Sequence, residues 1–438
     1  MTKTSLKMKF IYLNFMCLLV SSVLSKKRDN ANYNRDKFPT SFSWSSLDFE
    51  FPNARKRQES INQGDFIPGV PVPLDMDVIE IPKGKKIFIT IPRFQYGVPA
   101  TLGYFTSNDR KPPIIKPFPN WEMNRLGNCQ GITNVYRIKI DECGRLWVLD
   151  TGKIGAQRFC QPKLLVFNLK TDQVIHRYEF PQSQLTNTSN LINLVVDIRD
   201  PQRKCKDTFV YITDVDAFQL IVYDHVNQRS WNIKNRLFYP YPQFGILTIN
   251  GISFDLMDGI FAHALGPIKN GDRILYFHSL ASNVESYVST SILRNYDIFK
   301  NNSNAAARDF KSFSKTRKAQ ASAQAMDNNG VLFYGLVQEV AIGCWNSQKF
   351  TEYGEENLEV LVADKDTLQF SSGVKIIQLA KAEDELWVMT MSLQKVWTGT
   401  INPNETNFRI HTSSIKKLVE GTKCAVKDLN NRIIFPKN

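Results

Sequence analysis

One phrase recurs along this chain and restricts its fold more than any other feature. It is a turn, then a short aromatic and β-branched run, then a polar loop. It appears as KKIFITIPR from Lys85, GRLWVLDTG from Gly144, DTFVYITDVD from Asp207, DGIFAHALGP from Asp258, GVLFYGLVQE from Gly330 and DELWVMTMS from Asp384. The copies recur at roughly 50 to 70 residues, a period that marks stacked or radial repeats. Most copies lie between two further apolar runs, such as VYRIKI and LLVFNL around the second. Short Val, Ile, Phe, Tyr and Trp segments bounded by Gly, Asp, Asn and Pro read as strands. A unit of three or four antiparallel strands repeated about six times predicts an all-β fold, a six-bladed β-propeller, because radial closure removes most exposed edges. Ile87, Trp147, Tyr211, Phe261, Phe333 and Trp387 are then expected on equivalent second strands. The strand that closes the ring is expected from SFSWSSLDFEF, near Trp44.

The first residues stand apart. Lys3, Lys7 and Lys9 precede an apolar run from Phe10 to Val20, with small residues at Val23 and Ser25. This is the pattern of a secretory signal, too short to span a bilayer. The expected organisation is a signal peptide over 1–25 and one propeller domain over 26–438, secreted and extracellular, with no membrane partner. Seven cysteines are present, and Cys17 falls in the signal. The remaining six are an even set in an exported chain, which favours disulfides, and none forms a CxxC pair. Asn187, Asn301 and Asn404 each open an N-x-[ST] sequon. The net charge of +13 admits an acidic partner, but the basic residues are dispersed and export argues against nucleic acid.

Let strands A to D run from the axis outward in each blade. The A–B turns then lie on one face, and the B–C and D–A loops lie on the other. Cys143 and Cys205 fall in A–B turns of consecutive blades. Cys129 falls in a D–A loop, Cys160 and Cys344 in B–C loops, and Cys424 follows the last outer strand. Six cysteines allow about fifteen pairings. Face matching favours Cys129–Cys160, Cys143–Cys205 and Cys344–Cys424.

The sequence also resembles the insect yellow and major royal jelly protein family. The resemblance is carried by IFITIPRFQYGVPATLGYF from Ile87, YRIKIDECGRLWVLDTG from Tyr136 and CQPKLLVFNLKTDQVIHRYEFP from Cys160. It continues in YITDVDAFQLIVYD from Tyr211, LYFHSLAS from Leu275, GCWN from Gly343, and NFRI and GTKC near the end. It implies a secreted six-bladed propeller with roles in pigmentation, secreted nutrition or small-amine binding, and in some relatives dopachrome conversion.

The residues exclude several chemistries. There is no G-x-S-x-G elbow and no HExxH, and the five histidines are scattered. No cofactor and no metal is expected, although Asp150, Asp214 and Asn346 could supply calcium oxygens if they met at the axis. Catalytic residues are not identifiable. The ligand is expected at the B–C and D–A mouth of the channel, where several blades can offer groups to one molecule. Arg93, Tyr96, Asp150, Asp214, His263, Asn346 and Met391 are the candidate ligand residues, chosen as the corresponding loop position of each blade. Around them the sequence places Phe94, Phe218 and Trp345 beside Asp216 and Glu339. Such a set suits a small aromatic amine or catechol, whose ring stacks and whose ammonium pairs with a carboxylate or a π face. The expected function is that of a propeller binding a catechol or indole compound in cuticle pigmentation or a related secretion. A dopachrome isomerase and a structural or nutritive protein are the alternatives.

Overall fold

The computed structural model describes residues 35–426 apart from position 381. The expected signal peptide lies outside the described residues.

Among the described residues, six four-stranded antiparallel sheets form a ring. Their innermost strands are Asp75–Ile81, Val135–Ile140, Leu191–Ile198, Ile260–Leu265, Ala321–Met326 and Phe370–Ile377, which define blades 1 to 6. Each innermost strand touches the next, and the last touches the first, so the ring is closed. This is a six-bladed β-propeller. In blade 6, Thr40–Trp44 forms the outer strand, pairing Trp44 with Phe408 and Ser43 with Arg409. Main-chain hydrogen bonds from the front of the chain thus complete the last sheet.

The second strands read as unbroken apolar runs for a physical reason. Leu146, Trp147, Val148 and Leu149 are all fully buried, because a mid-blade strand has a neighbouring blade on each side. The outer strand of the same blade, Gln173–Glu179, faces solvent and is largely exposed. Five of the six expected second strands are second strands. The exception is Phe261, which lies on the innermost strand of blade 4; the second strand there is Ile274–Ser279. The register slipped because the connection from blade 3 to blade 4 carries an extra hairpin, Ile246–Ile249 with Ile252–Asp255. Its first strand occupies the place in the sequence where an innermost strand was expected. Asn250 and Gly251 both have positive φ, the geometry of a two-residue type I′ turn.

Three disulfides are present: Cys129–Cys160, Cys143–Cys205 and Cys344–Cys424. These are the pairs that face matching favoured. One premise is corrected: Cys344 is in mid-strand on Ala341–Asn346, fully buried, and not in a B–C loop. Asn187, Asn301 and Asn404 are all exposed. No helix among the described residues is long and apolar enough to cross a membrane.

Candidate functional site

The channel has two different ends. The face carrying B–C and D–A connections is here called the loop face, and the opposite one the turn face. The extra hairpin covers the loop face. It leaves between blades 3 and 4 and reaches the helix Leu393–Trp397 of blade 6, across the ring. Phe254 meets Trp397 at 5.9 Å between ring centroids. The Asn250 side chain donates to the Lys365 carbonyl at 2.6 Å. Gln320 holds the hairpin's base, donating to the carbonyls of Phe244 and Ile246. Leu247 and Ile249 are buried in the same apolar core as Ile91, Phe370 and Met391.

Most of the expected ligand residues are committed to holding this face together. The Asp150 carboxylate accepts from the backbone N–H of Thr133, Asn134 and Gly152 at 2.8–2.9 Å. It also pairs with the buried Lys163 at 2.8 Å. A buried carboxylate saturated in this way fastens a D–A loop to the end of its own blade. Asp214 does the same in blade 3, accepting from the N–H of Asn190 and Ala217 and from the Gln219 side chain. Arg93 spends its guanidinium on the carbonyls of Val98, Pro99, Asn124, Ile132 and Thr133. Burial lowers its pKa to about 10. Met391 is buried in the same core as the hairpin's Leu247 and Ile249. Tyr96 is exposed and meets the edge of Phe159.

Two expectations are corrected outright. Asn346 ends the third strand of blade 5 opposite Val331, which puts it on the turn face; its side chain donates to the Cys424 carbonyl. The oxygens of Asp150, Asp214 and Asn346 therefore do not converge. Trp345, buried one residue earlier, packs against Tyr276 and Tyr353. His263 lies on an innermost strand within the channel, and not in a B–C loop. Among the described residues, no group of three or more His, Cys, Asp or Glu is arranged to hold a metal ion.

A different set meets at the loop face. Tyr136 is the second residue of the inner strand of blade 2, and Phe94 contacts it edge-on at 5.5 Å. The Asn190 side chain stands beside both Tyr136 and Asp216 and lowers the pKa of each against the effect of burial. Asp258 and Asp216 are drawn together by a backbone bond from Gly259 N–H to the Val215 carbonyl, 3.1 Å. Gly259 has to be glycine: a Cβ there would stand 2.4 Å from the Phe218 ring and 2.6 Å from the Phe238 carbonyl. Burial raises Asp258 to a pKa of about 7, with repulsion from Asp216 adding to it and Arg137 opposing it. Burial also raises Asp216, against the pull of Lys153. Burial raises Tyr136 strongly, so its phenol stays protonated. Two carboxyl groups held up in this way are groups that a cation would stabilise in the ionised form.

Phe94, Phe218 and Asp216 were expected near this mouth. Tyr136, Asn190 and Asp258 were not. Asp258 was hidden by the same one-strand slip that misplaced Phe261: Asp258–Gly259 was read as an A–B turn but is the end of a D–A connection. An Asn-Gly pair between apolar runs, at Asn250, was the signal that would have corrected it.

The family profile described as major royal jelly protein matches residues 133–424. Protein yellow of Drosophila madeirensis is 33% identical over 434 residues, spanning 97% of this chain and 72% of that protein. Protein yellow of Drosophila melanogaster is 34% identical over 414 residues, spanning 92% and 73%. Among solved structures, a luciferin-regenerating enzyme aligns with a TM-score of 0.44 at 10% identity, covering 78% of this chain and 95% of that one. A streptogramin B lyase aligns with a TM-score of 0.38 at 11% identity, covering 84% and 95%. The profile match and the length of the alignments to protein yellow make this chain a member of the insect yellow and major royal jelly protein family.

Proposed function

We propose that this protein is a secreted, yellow-type propeller that binds a small catechol or indole amine under the loop-face hairpin. The observation that carries the reading is the grouping of Tyr136, Asn190 and Asp216 at the loop face, with Asp258 beside it and Phe94 and Phe218 as flanking rings. The rings offer faces and edges to an aromatic ligand, and the two carboxylates offer a site for its ammonium. Three disulfides support export, since such bonds persist in oxidising compartments. A role in cuticle pigmentation or a related secretion follows from the similarity to proteins named yellow. Calorimetry with dopamine, serotonin and tyramine tests the reading. It expects saturable binding of at least one amine, weakened by Asp258→Asn; no heat from any of them would end it.

One observation favours a second reading, dopachrome isomerisation. A carboxyl group with a pKa of about 7 can take a carbon-bound proton and return one to oxygen near neutrality. In that case purified protein turns over dopachrome through many cycles, and Asp258→Asn abolishes turnover. Binding without turnover assigns the site to carriage.

A further inference from the structure

The other half of the channel is chemically distinct. Below the loop-face cluster, each blade turns one polar residue toward the axis: Asp75, Arg137, Asn193, His263, Gln324 and Lys375, from blades 1 to 6 in order. They line a cavity of about 180 Å³. It leads into a vestibule of about 540 Å³ at the turn face, and the two share Lys139, Arg273 and Asn328 as lining. The Arg137 guanidinium lies over the Phe261 ring at 4.7 Å and feels the carboxylates of both Asp75 and Asp258.

Four of the six residues are buried with one polar atom lacking a protein partner: Asp75 Oδ1, Arg137 Nη1, His263 Nδ1 and Gln324 Oε1. The character of each atom is fixed by what its residue already does. His263 Nε2 lies 2.9 Å from the Tyr211 carbonyl, so Nε2 carries the proton and Nδ1 offers a lone pair. Gln324 Nε2 donates to the Tyr276 carbonyl and to Glu285, leaving Oε1 as an acceptor. Asp75 uses Oδ2 for Lys375 and for the Ile138 N–H, leaving Oδ1 as an acceptor. Arg137 uses Nη2 on the Ser372 carbonyl, leaving Nη1 as a donor.

The set is therefore three acceptors and one donor. An anion brings only acceptors and would meet three of them. A cation would meet Arg137 and Lys375, with Lys139 and Arg273 also in the lining, against the single carboxylate of Asp75, which is already paired with Lys375. A neutral molecule with several hydroxyl groups brings both functions: each O–H donates to an acceptor, and one oxygen accepts from Arg137. We propose that this cavity is a second ligand site, entered from the turn face, for a small neutral polyhydroxyl compound. About 180 Å³ is the share of roughly six waters at liquid density, which suits a compact polyol.

Calorimetry and ligand-observed NMR on the mature protein test this with glycerol, erythritol and myo-inositol. Acetate and methylammonium serve as charged probes, and dopamine as the competitor. At least one polyol should bind saturably, without competition from dopamine. Loss of one acceptor in His263→Phe or Gln324→Met should weaken it by about tenfold or more. Asp258→Asn should leave polyol affinity unchanged, which separates this site from the amine site. If either cavity variant fails to fold, the other and the wild-type probe panel still decide. The proposal is overturned if no polyol saturates, if a charged probe binds more tightly, or if folded cavity variants bind as the wild type does. A polyol-soaked crystal with only water in the cavity would overturn it as well.

Discussion

The two ends of the channel differ in how they are made. At the loop face, the ends of the blades are fastened by saturated side chains such as Asp150, Asp214 and Arg93, and the remaining polar groups arrive on loops: Asn190 and Asp258 between blades, Asp216 within blade 3. In the channel below, six polar groups come from the innermost strands, one at the same level of each blade, and Lys139, Arg273 and Asn328 join them toward the turn face. The repeat therefore positions the lower cavity directly. At the loop face it positions the scaffold and Asp216, which ends one copy of the repeat, whereas Asn190 and Asp258 stand on the connections between blades. Residues picked by repeat position alone are consequently the ones most committed to structure.

That contrast can be broken first at Asp150. If it is structural, Asp150→Ala strands the buried Lys163 ammonium and three N–H groups, and should cost about 3–5 kcal/mol of stability. Denaturant unfolding reads the loss. Amine affinity of the folded fraction should stay close to wild type, and a selective loss of affinity without a stability change would reverse the assignment.

Asp258 should behave in the opposite way. Asp258→Asn removes a charge-assisted contact worth about 1.5–3 kcal/mol, or roughly tenfold to a hundredfold in affinity. Because Asp258 is raised to about 7, wild-type amine affinity should climb as pH goes from 5 to 8 and level off above that. The variant should show a flat profile.

The two ends also differ in the sign of their pH effect on stability. Asp258 has a folded pKa above its ordinary value of 3.8, so its neutral form favours folding. That contribution is complete below about 3.8 and is lost as pH rises to about 7. His263 is depressed from 6.5 to about 4 by burial, so its contribution is complete above 6.5 and is lost as pH falls to about 4. Unfolding midpoints from pH 4 to 8 should show Asp258→Asn flattening the neutral side and His263→Phe the acid side.

The hairpin gives a smaller effect. Gly251 has φ of +78°, and Gly251→Ala should cost about 1 kcal/mol locally. Amide exchange across Ile246–Asp255 should quicken while the blades stay protected, and the amine should bind and leave faster. Lys83 is exposed in an A–B turn, and Lys83→Ala should change stability by less than about 0.5 kcal/mol and leave amine affinity alone. Asp141, in the next such turn, is no neutral control, since its carboxylate accepts from Arg145 and from the Trp147 indole.

The blade pattern was legible because burial on both sides writes itself as unbroken apolar runs, as in Leu146–Leu149 and Val331–Leu336. The cysteine pairs were legible because strand order assigns each loop to a face. Cys344 shows that a pairing can hold when the placement behind it does not. The candidate site was less legible. Nothing local tells a carboxylate that caps a loop, such as Asp150, from one that is left under-compensated, such as Asp258. The difference lies in which N–H groups and cations the fold delivers to each. His263 was misplaced by a single strand, and with it the polar ring of the channel.

The most direct test of the central claim is a crystal structure of the mature protein with dopamine bound. Density is expected beneath the Ile246–Asp255 hairpin, with the ammonium within hydrogen-bond reach of Asp258 or Asp216 and the ring against Phe94 or Tyr136. Dopamine seated in the lower cavity against Asp75 and His263, with the space under the hairpin filled by side chains alone, would contradict it.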